Sequence, residues 1–263
     1  TPAPDNARGT TPVWDSRRGY PKFLRTSRYR LAGTALKCPS TSENGTSTIS
    51  AATIANTGDV TAANALSLTA SNSLSNGGLL ASGDALIVQA GVIAGQGGTF
   101  EAKGPLGLTA GDIALGNAQI YALGSAPLTL VSTGALTASG ARIGGNGNVS
   151  LSAVSMSLGG SEMSALGTLG LTASTGELNL GSGGVRASSG AVTVSSSGII
   201  DAKGASVATN GIASLSATQI LLDDGSLQAD TFVLSAPLIS LKRAKLRQTG
   251  TADLTLQTTG SLD

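Results

Sequence analysis

The chain has 263 residues, of which 12% are charged and 3% aromatic, with 37 glycines, one cysteine, no histidine and a formal net charge of +1. These proportions exclude an intrachain disulfide framework, histidine-based catalysis and an interior anchored on large aromatic rings. They also exclude a simple Gly/Ser linker, because 40% of the residues are hydrophobic and recur in short runs that bury enough surface to offset ordering entropy.

No apolar run is long enough to span a bilayer, and no signal-peptide core is visible. The chain starts at Thr1 rather than Met and ends inside a repeat, so it is expected to be a piece of a longer protein.

Residues 1–45 form a basic segment of low expected order. Up to residue 44, Arg8, Arg17, Arg18, Lys22, Arg25, Arg28, Arg30 and Lys37 stand against Asp5, Asp15 and Glu43. Trp14, Tyr20, Phe23 and Tyr29 are interleaved with these charges, but neither helical nor alternating periodicity accompanies them. A flexible linking segment is the simplest reading, and no nucleic-acid partner is expected.

From residue 46 the texture changes to repeats, which place residues 46–263 in one domain. Segments align on an apolar-x-apolar pair beginning at Ala65, Ala85, Pro105, Pro127, Asn148, Thr168 and Ala191, with weaker copies at Ile212, Thr231 and Asp253. Successive intervals are 20, 20, 22, 21, 20, 23, 21, 19 and 22 residues. Each repeat holds three short apolar stretches, such as Leu66–Leu68, Leu74 and Leu79–Leu80. Asn76, Gly77 and Gly78 provide one turn between them.

Three strands of two to five residues joined by Gly/Asn corners describe one coil of a β-helix. The predicted fold is therefore all-β, a right-handed parallel β-helix of about ten coils with ~20-residue repeats, three short strands per coil and a length of roughly 50 Å at ~4.8 Å per rung. Alternation turns Leu66 and Leu68 inward and Ser67 outward. Leu66, Leu86, Leu106, Leu128, Val149, Leu169 and Val192 should stack as one internal ladder, with Leu68, Val88, Leu108, Leu130, Leu151, Leu171 and Val194 beside it. Leucine-rich repeats share the length but need a recurrent Asn or Cys after one strand, which is absent here. Helical solenoids fail because the apolar period is two.

The segment ALSLTASNSLSNGGLLASGD, residues 65–84, resembles the haemagglutinin-type repeat of filamentous haemagglutinin and related large bacterial exoproteins. Variants of it fill most of residues 46–263. The resemblance implies a secreted, extracellular location on the bacterial outer surface and export past an outer-membrane transporter by a two-partner route. It further implies a structural shaft and surface-display role in an adhesin that meets glycans or proteins on host or neighbouring cells. The rival readings are a glycan-active β-helix enzyme, a polysaccharide lyase or hydrolase, and an autotransporter passenger repeat. Exposed solenoid ends would favour self-association of an isolated fragment.

For catalysis the sequence offers little, and no enzymatic activity, cofactor or metal site is expected. Asp223 and Asp224 are the only adjacent acids and sit in LLDDGS, where Asp-Gly makes a turn. Cys38 has no evident partner, and GGNGN at 144–148 has Asn where a calcium-binding nonapeptide needs an acid. Within the repeats only Phe100, Tyr121 and Phe232 are aromatic, too few for an extended sugar platform. The outward positions Ser67, Ile87, Gly107, Thr129, Ser150, Gly170 and Thr193 are too mixed for an ice-binding lattice. The sequons at Asn44 and Asn148 matter only in a eukaryotic secretory pathway. One cluster remains: Lys242, Arg243, Lys245 and Arg247, with alternate members on one strand, as a contact for anionic glycan or lipid.

Overall fold

A computed structural model describes residues 28–31, 40–42, 46–252 and 255–263. Cys38, Asn44 and most of the basic and aromatic leader lie outside the described residues. The described residues form an all-β parallel solenoid of about 11 turns, consistent with the right-handed β-helix expected from the repeats. Its strands pair in parallel, coil upon coil, in a 19-stranded sheet that covers two faces and an 11-stranded sheet that makes the third. Before residue 46, the backbones of Arg28–Leu31 and Ser40–Ser42 pair in the same way with Ser47–Asn56 and Asp59–Ala62.

Alternation builds the interior. On the first face Leu66 pairs with Leu86, Leu86 with Leu106, Leu106 with Leu128, Leu128 with Val149, Val149 with Leu169 and Leu169 with Val192. The second ladder, from Leu68 through Leu108 to Val194, keeps the same register, and all these side chains are buried. On the second face Ile93, Ile113, Leu136, Met156, Leu178 and Ile200 stack. On the third, Leu80, Phe100, Ile120, Ile143, Met163 and Val185 stack. Each inward Leu, Ile or Val contributes about 1.5–3 kcal/mol through burial. Because every coil is roofed and floored by identical positions, the apolar ladders need no large rings. Phe100 and Phe232 are the two that enter the core, while Tyr121 is partly exposed on the third face.

The strands are longer than expected at one end. Ser47–Asn56, Leu66–Asn76, Leu86–Ala94 and Leu106–Ala114 have 10, 11, 9 and 9 residues. They run through the first corner rather than stopping at it, with the register shifting near Ala51 and Ala70. A bulge bends a strand without ending its pairing, so two faces are made from one strand. From Leu128–Ser132 onward the first-face strands have the expected short length.

The corner between the second and third faces is the most regular. The inward third-face residue follows the inward second-face residue by seven positions in every coil from Ile93/Phe100 to Ile239/Leu246. In each of those coils the third turn residue has a positive φ: Gly97, Asn117, Gly140, Gly160, Ser182, Gly204, Asp224 and Arg243, between 55° and 70°. The amide of the following residue bonds back three positions, as Ala118 to Leu115 at 2.9 Å and Gly225 to Leu222 at 2.9 Å. A tight turn with positive φ at its third residue explains both the constant spacing and the excess of Gly and Asn there.

The first two of these corners are built differently and are one residue shorter, from Ile54 to Val60 and from Leu74 to Leu80. Here Asn56 and Asn76 point inward, 3% and 1% exposed. Asn56 Nδ2 donates to Asn76 Oδ1 at 2.8 Å and to the Leu79 carbonyl at 3.0 Å, and Asn76 Nδ2 donates to the Thr99 carbonyl at 3.0 Å. Asn76 was expected in a turn. It ends a strand instead, and its buried amide is satisfied by the coil on either side, which is what permits a polar group in the stack.

Candidate functional site

The repeats put their monotony inside, so any binding chemistry must sit on the outward ranks and corners. The strongest charge concentration is in the last coils. Lys203, Asp223 and Lys242 occupy the same corner position on successive rungs, and Asp224 and Arg243 occupy the next one. Arg243 grips Asp224 with two bonds, Nε to Oδ1 at 2.6 Å and Nη2 to Oδ2 at 2.5 Å. Asp223 Oδ1 accepts from Ser240 Oγ at 2.6 Å and from the Lys242 amide at 3.0 Å. Lys242 Nζ lies 4.0 Å from Asp263.

The four expected contact residues are thereby divided. Lys242 and Arg243 belong to the corner and face carboxylates. Lys245 and Arg247 lie on the third-face strand Lys245–Gln248, both exposed, with Leu246 turned inward between them. They alternate on one strand, as the spacing suggested, and neither has an ion-pair partner among the described residues.

The corner also settles the chemistry of the acid pair. The Ser240 hydroxyl, followed by the Lys242 amide and the charges of Lys242 and Lys203, holds the Asp223 carboxyl below its ordinary range. The Arg243 guanidinium does the same for Asp224, and is itself pushed upward. Two ionised, hydrogen-bonded carboxylates are staples between coils and poor proton donors. Among the described residues, no group of three or more His, Cys, Asp or Glu is placed to hold a metal ion.

A pH dependence follows. A carboxylate whose folded pKa is depressed contributes stability above its unfolded pKa of ~3.9 and loses it as pH falls through the folded value. The melting temperature should therefore fall as pH is lowered from about 5 toward 2.5, and Asp223→Asn with Asp224→Asn should flatten that decline. Thermal melts of both proteins across this range check it; parallel declines would show that the corner carboxylates do not contribute.

Sequence reasoning missed a second feature. On the outer surface of the third face Tyr121, Arg142, Glu162, Ser164, Arg186 and Ser206 line a shallow depression of about 500 Å³. Arg142 pairs with Glu162 on the adjacent rung and Glu162 with Gly184, while Gly144, Ser164 and Arg186 follow Tyr121 on the neighbouring rank. The Tyr121 ring lies beside Gly144, where a Cβ would stand only 3.1 Å from Cδ1, and the residue is partly exposed. Arg142 Nε is 3.7 Å from Glu162 Oε2, with both side chains mostly exposed. Arg186 has no ion-pair partner among the described residues. The grouping spans 86 residues of sequence, from 121 to 206, and only the coil register brings it together.

Comparison with protein-family models, with curated proteins and with solved structures gives no match.

Proposed function

We propose that this chain is the structural shaft and surface-display segment of a secreted bacterial adhesin of the filamentous haemagglutinin kind, acting without catalysis. The observation that carries this reading is the contrast between inside and outside. Inward positions repeat Leu, Ile and Val through successive coils, whereas the outward third-face positions change from Tyr121 to Gly144, Ser164, Arg186 and Ala208. A framework that holds its shape while its outer side chains vary suits reach and multivalent display.

Export past an outer-membrane transporter fits the same construction. No described coil depends on a disulfide, and each coil finds its partner in the one already formed, so folding can propagate from one end as the chain emerges. The display surface would meet glycans or proteins of host or neighbouring cells. A glycan hydrolase normally flanks its scissile bond with two carboxylates. Along the depression Glu162 is the one carboxylate, and it is engaged by Arg142.

The test is attachment. A non-adherent bacterium carrying the chain on its outer surface should bind epithelial monolayers or neighbouring bacteria several-fold more than the same strain without it. Equal attachment, or depolymerisation of acidic or neutral polysaccharides by the purified chain, would overturn the reading.

A further inference from the structure

We propose that the third face, from Tyr121 to Arg247, is a binding track for an acidic polysaccharide lying parallel to the rod axis. The track supplies a ligand class for the display surface and so rests on that reading. Arg142, Glu162 and Gly184 occupy one rank on successive rungs, continued by Ser206, Ser226 and Lys245. Tyr121, Gly144, Ser164 and Arg186 occupy the neighbouring rank, continued by Ala208, Gln228 and Arg247. At ~4.8 Å per rung, Arg142 and Arg186 stand two rungs apart, about 10 Å along the axis, and Arg186 and Arg247 three rungs apart, about 14 Å.

Charge complementarity selects the occupant. Residues 45–263 carry eight basic and twelve acidic groups, yet this stretch of the face presents Arg142, Arg186, Lys245 and Arg247 against Glu162 alone. Cations in a line, spaced along the axis, fit a linear polymer whose anionic groups recur at intervals, with guanidinium groups offering forked donors to carboxylate or sulfate. Tyr121, partly exposed at the end of the line, supplies an aromatic ring suited to the apolar face of a sugar ring. Small residues between the cations, Gly144, Ser164, Gly184 and Ser206, let the polymer approach the backbone and offer hydroxyls to its own. The outward positions of its strands hold no Leu, Ile or Phe, Leu123 and Leu166 being exposed at the corner beyond them, and a single aromatic on which a base could stack, so the line of cations favours a glycan over a lipid surface or a nucleic acid.

The experiment is calorimetric titration of the full chain at low and moderate salt. The probes are heparin oligosaccharides for sulfate esters, oligogalacturonate for carboxylates, a neutral cello-oligosaccharide, single-stranded DNA, and vesicles of phosphatidylserine with phosphatidylcholine. At least one acidic oligosaccharide should bind, more weakly as salt rises, while the neutral one does not. Arg186→Ser with Arg247→Ser should weaken binding about tenfold, since two charge-assisted contacts are lost, and Tyr121→Ala should weaken it with the salt dependence retained. Lys103→Ser with Lys203→Ser removes the same charge elsewhere and should leave the affinity unchanged. Circular dichroism should be unaltered throughout, because every substituted side chain points outward.

Binding of neither acidic oligosaccharide overturns the proposal, as does binding of DNA or vesicles alone. Loss of binding on Lys242→Ser with Arg243→Ser but not on Arg186→Ser with Arg247→Ser would move the site to the corner and equally overturn it. If the displayed chain mediates attachment but no glycan binds, the track fails and the display reading stands. If a glycan binds and attachment fails, the reverse holds.

Discussion

Leu108→Asp is expected to unravel the middle of the solenoid, lowering stability by more than about 4 kcal/mol, at the extreme of what single substitutions do. Leu108 is 0% exposed and lies between Val88 and Leu130 on adjacent rungs. The change removes the ~1.5–3 kcal/mol of a buried Leu and inserts a carboxyl whose ionised form has no partner and whose neutral form leaves its hydrogen bonds unmade. Neighbouring rungs cannot relieve it, since their inward positions are equally apolar. Ser67→Asp, on an outward position of the same face, should stay within about 0.5 kcal/mol. Denaturant unfolding gives the difference, and hydrogen exchange should show the damage centred on the coils beside Leu108 with more distant coils still protected. Comparable midpoints for the two variants would contradict the ladder.

Gly83→Val is expected to cost about 2–3 kcal/mol by forcing atoms into an already filled space. A Cβ at Gly83 would stand 1.8 Å from the Ala63 carbonyl oxygen and 2.7 Å from its carbon, on the coil before. The Gly83 amide also donates to the Ala62 carbonyl at 2.8 Å, so the corner cannot move outward without breaking the bond that stacks it. Gly170→Ala provides the matched control. It lies on the first-face strand Leu169–Ala173 with nothing within 4 Å of the added carbon, and should be neutral or slightly stabilising. Thermal melts of the two variants check the pair. A Gly83→Val protein as stable as Gly170→Ala would mean that the coils are not in van der Waals contact at this corner.

Both expectations turn on features that the sequence exposes unequally. Leu66, Leu86 and Leu106 announce themselves because alternation has a period of two and the repeat interval stays near twenty residues, so first-face ladders can be aligned by eye. Asn56 and Asn76 do not, because Asn before Gly is the usual composition of an exposed turn. Only the coil-to-coil amide bond, with an acceptor one rung away, makes an inward Asn tolerable. The positive-φ column was half visible: Gly97 and Gly140 suggest it, whereas Ser182 and Arg243 occupy the same conformation without the composition that signals it.

The candidate site was legible only in part, for a related reason. Lys242, Arg243, Lys245 and Arg247 are contiguous, so their charge is obvious, but a corner between Arg243 and Lys245 sends the two halves toward different neighbours. The pairing of Arg243 with Asp224 spans 19 residues and that of Arg142 with Glu162 spans 20. Such contacts depend on the rung register at each corner. That register drifts as coil length varies between 19 and 23 residues, so a repeat alignment on the first face does not carry through to the third.

Pulling a single molecule from its two ends tests the shaft directly. Each coil touches only its neighbours, so force should release the chain in successive steps of one or a few coils, each coil of ~20 residues adding about 65 Å of contour at the extended length per residue. A single rupture that frees the whole contour at once would contradict a solenoid shaft and point instead to one cooperative globular unit.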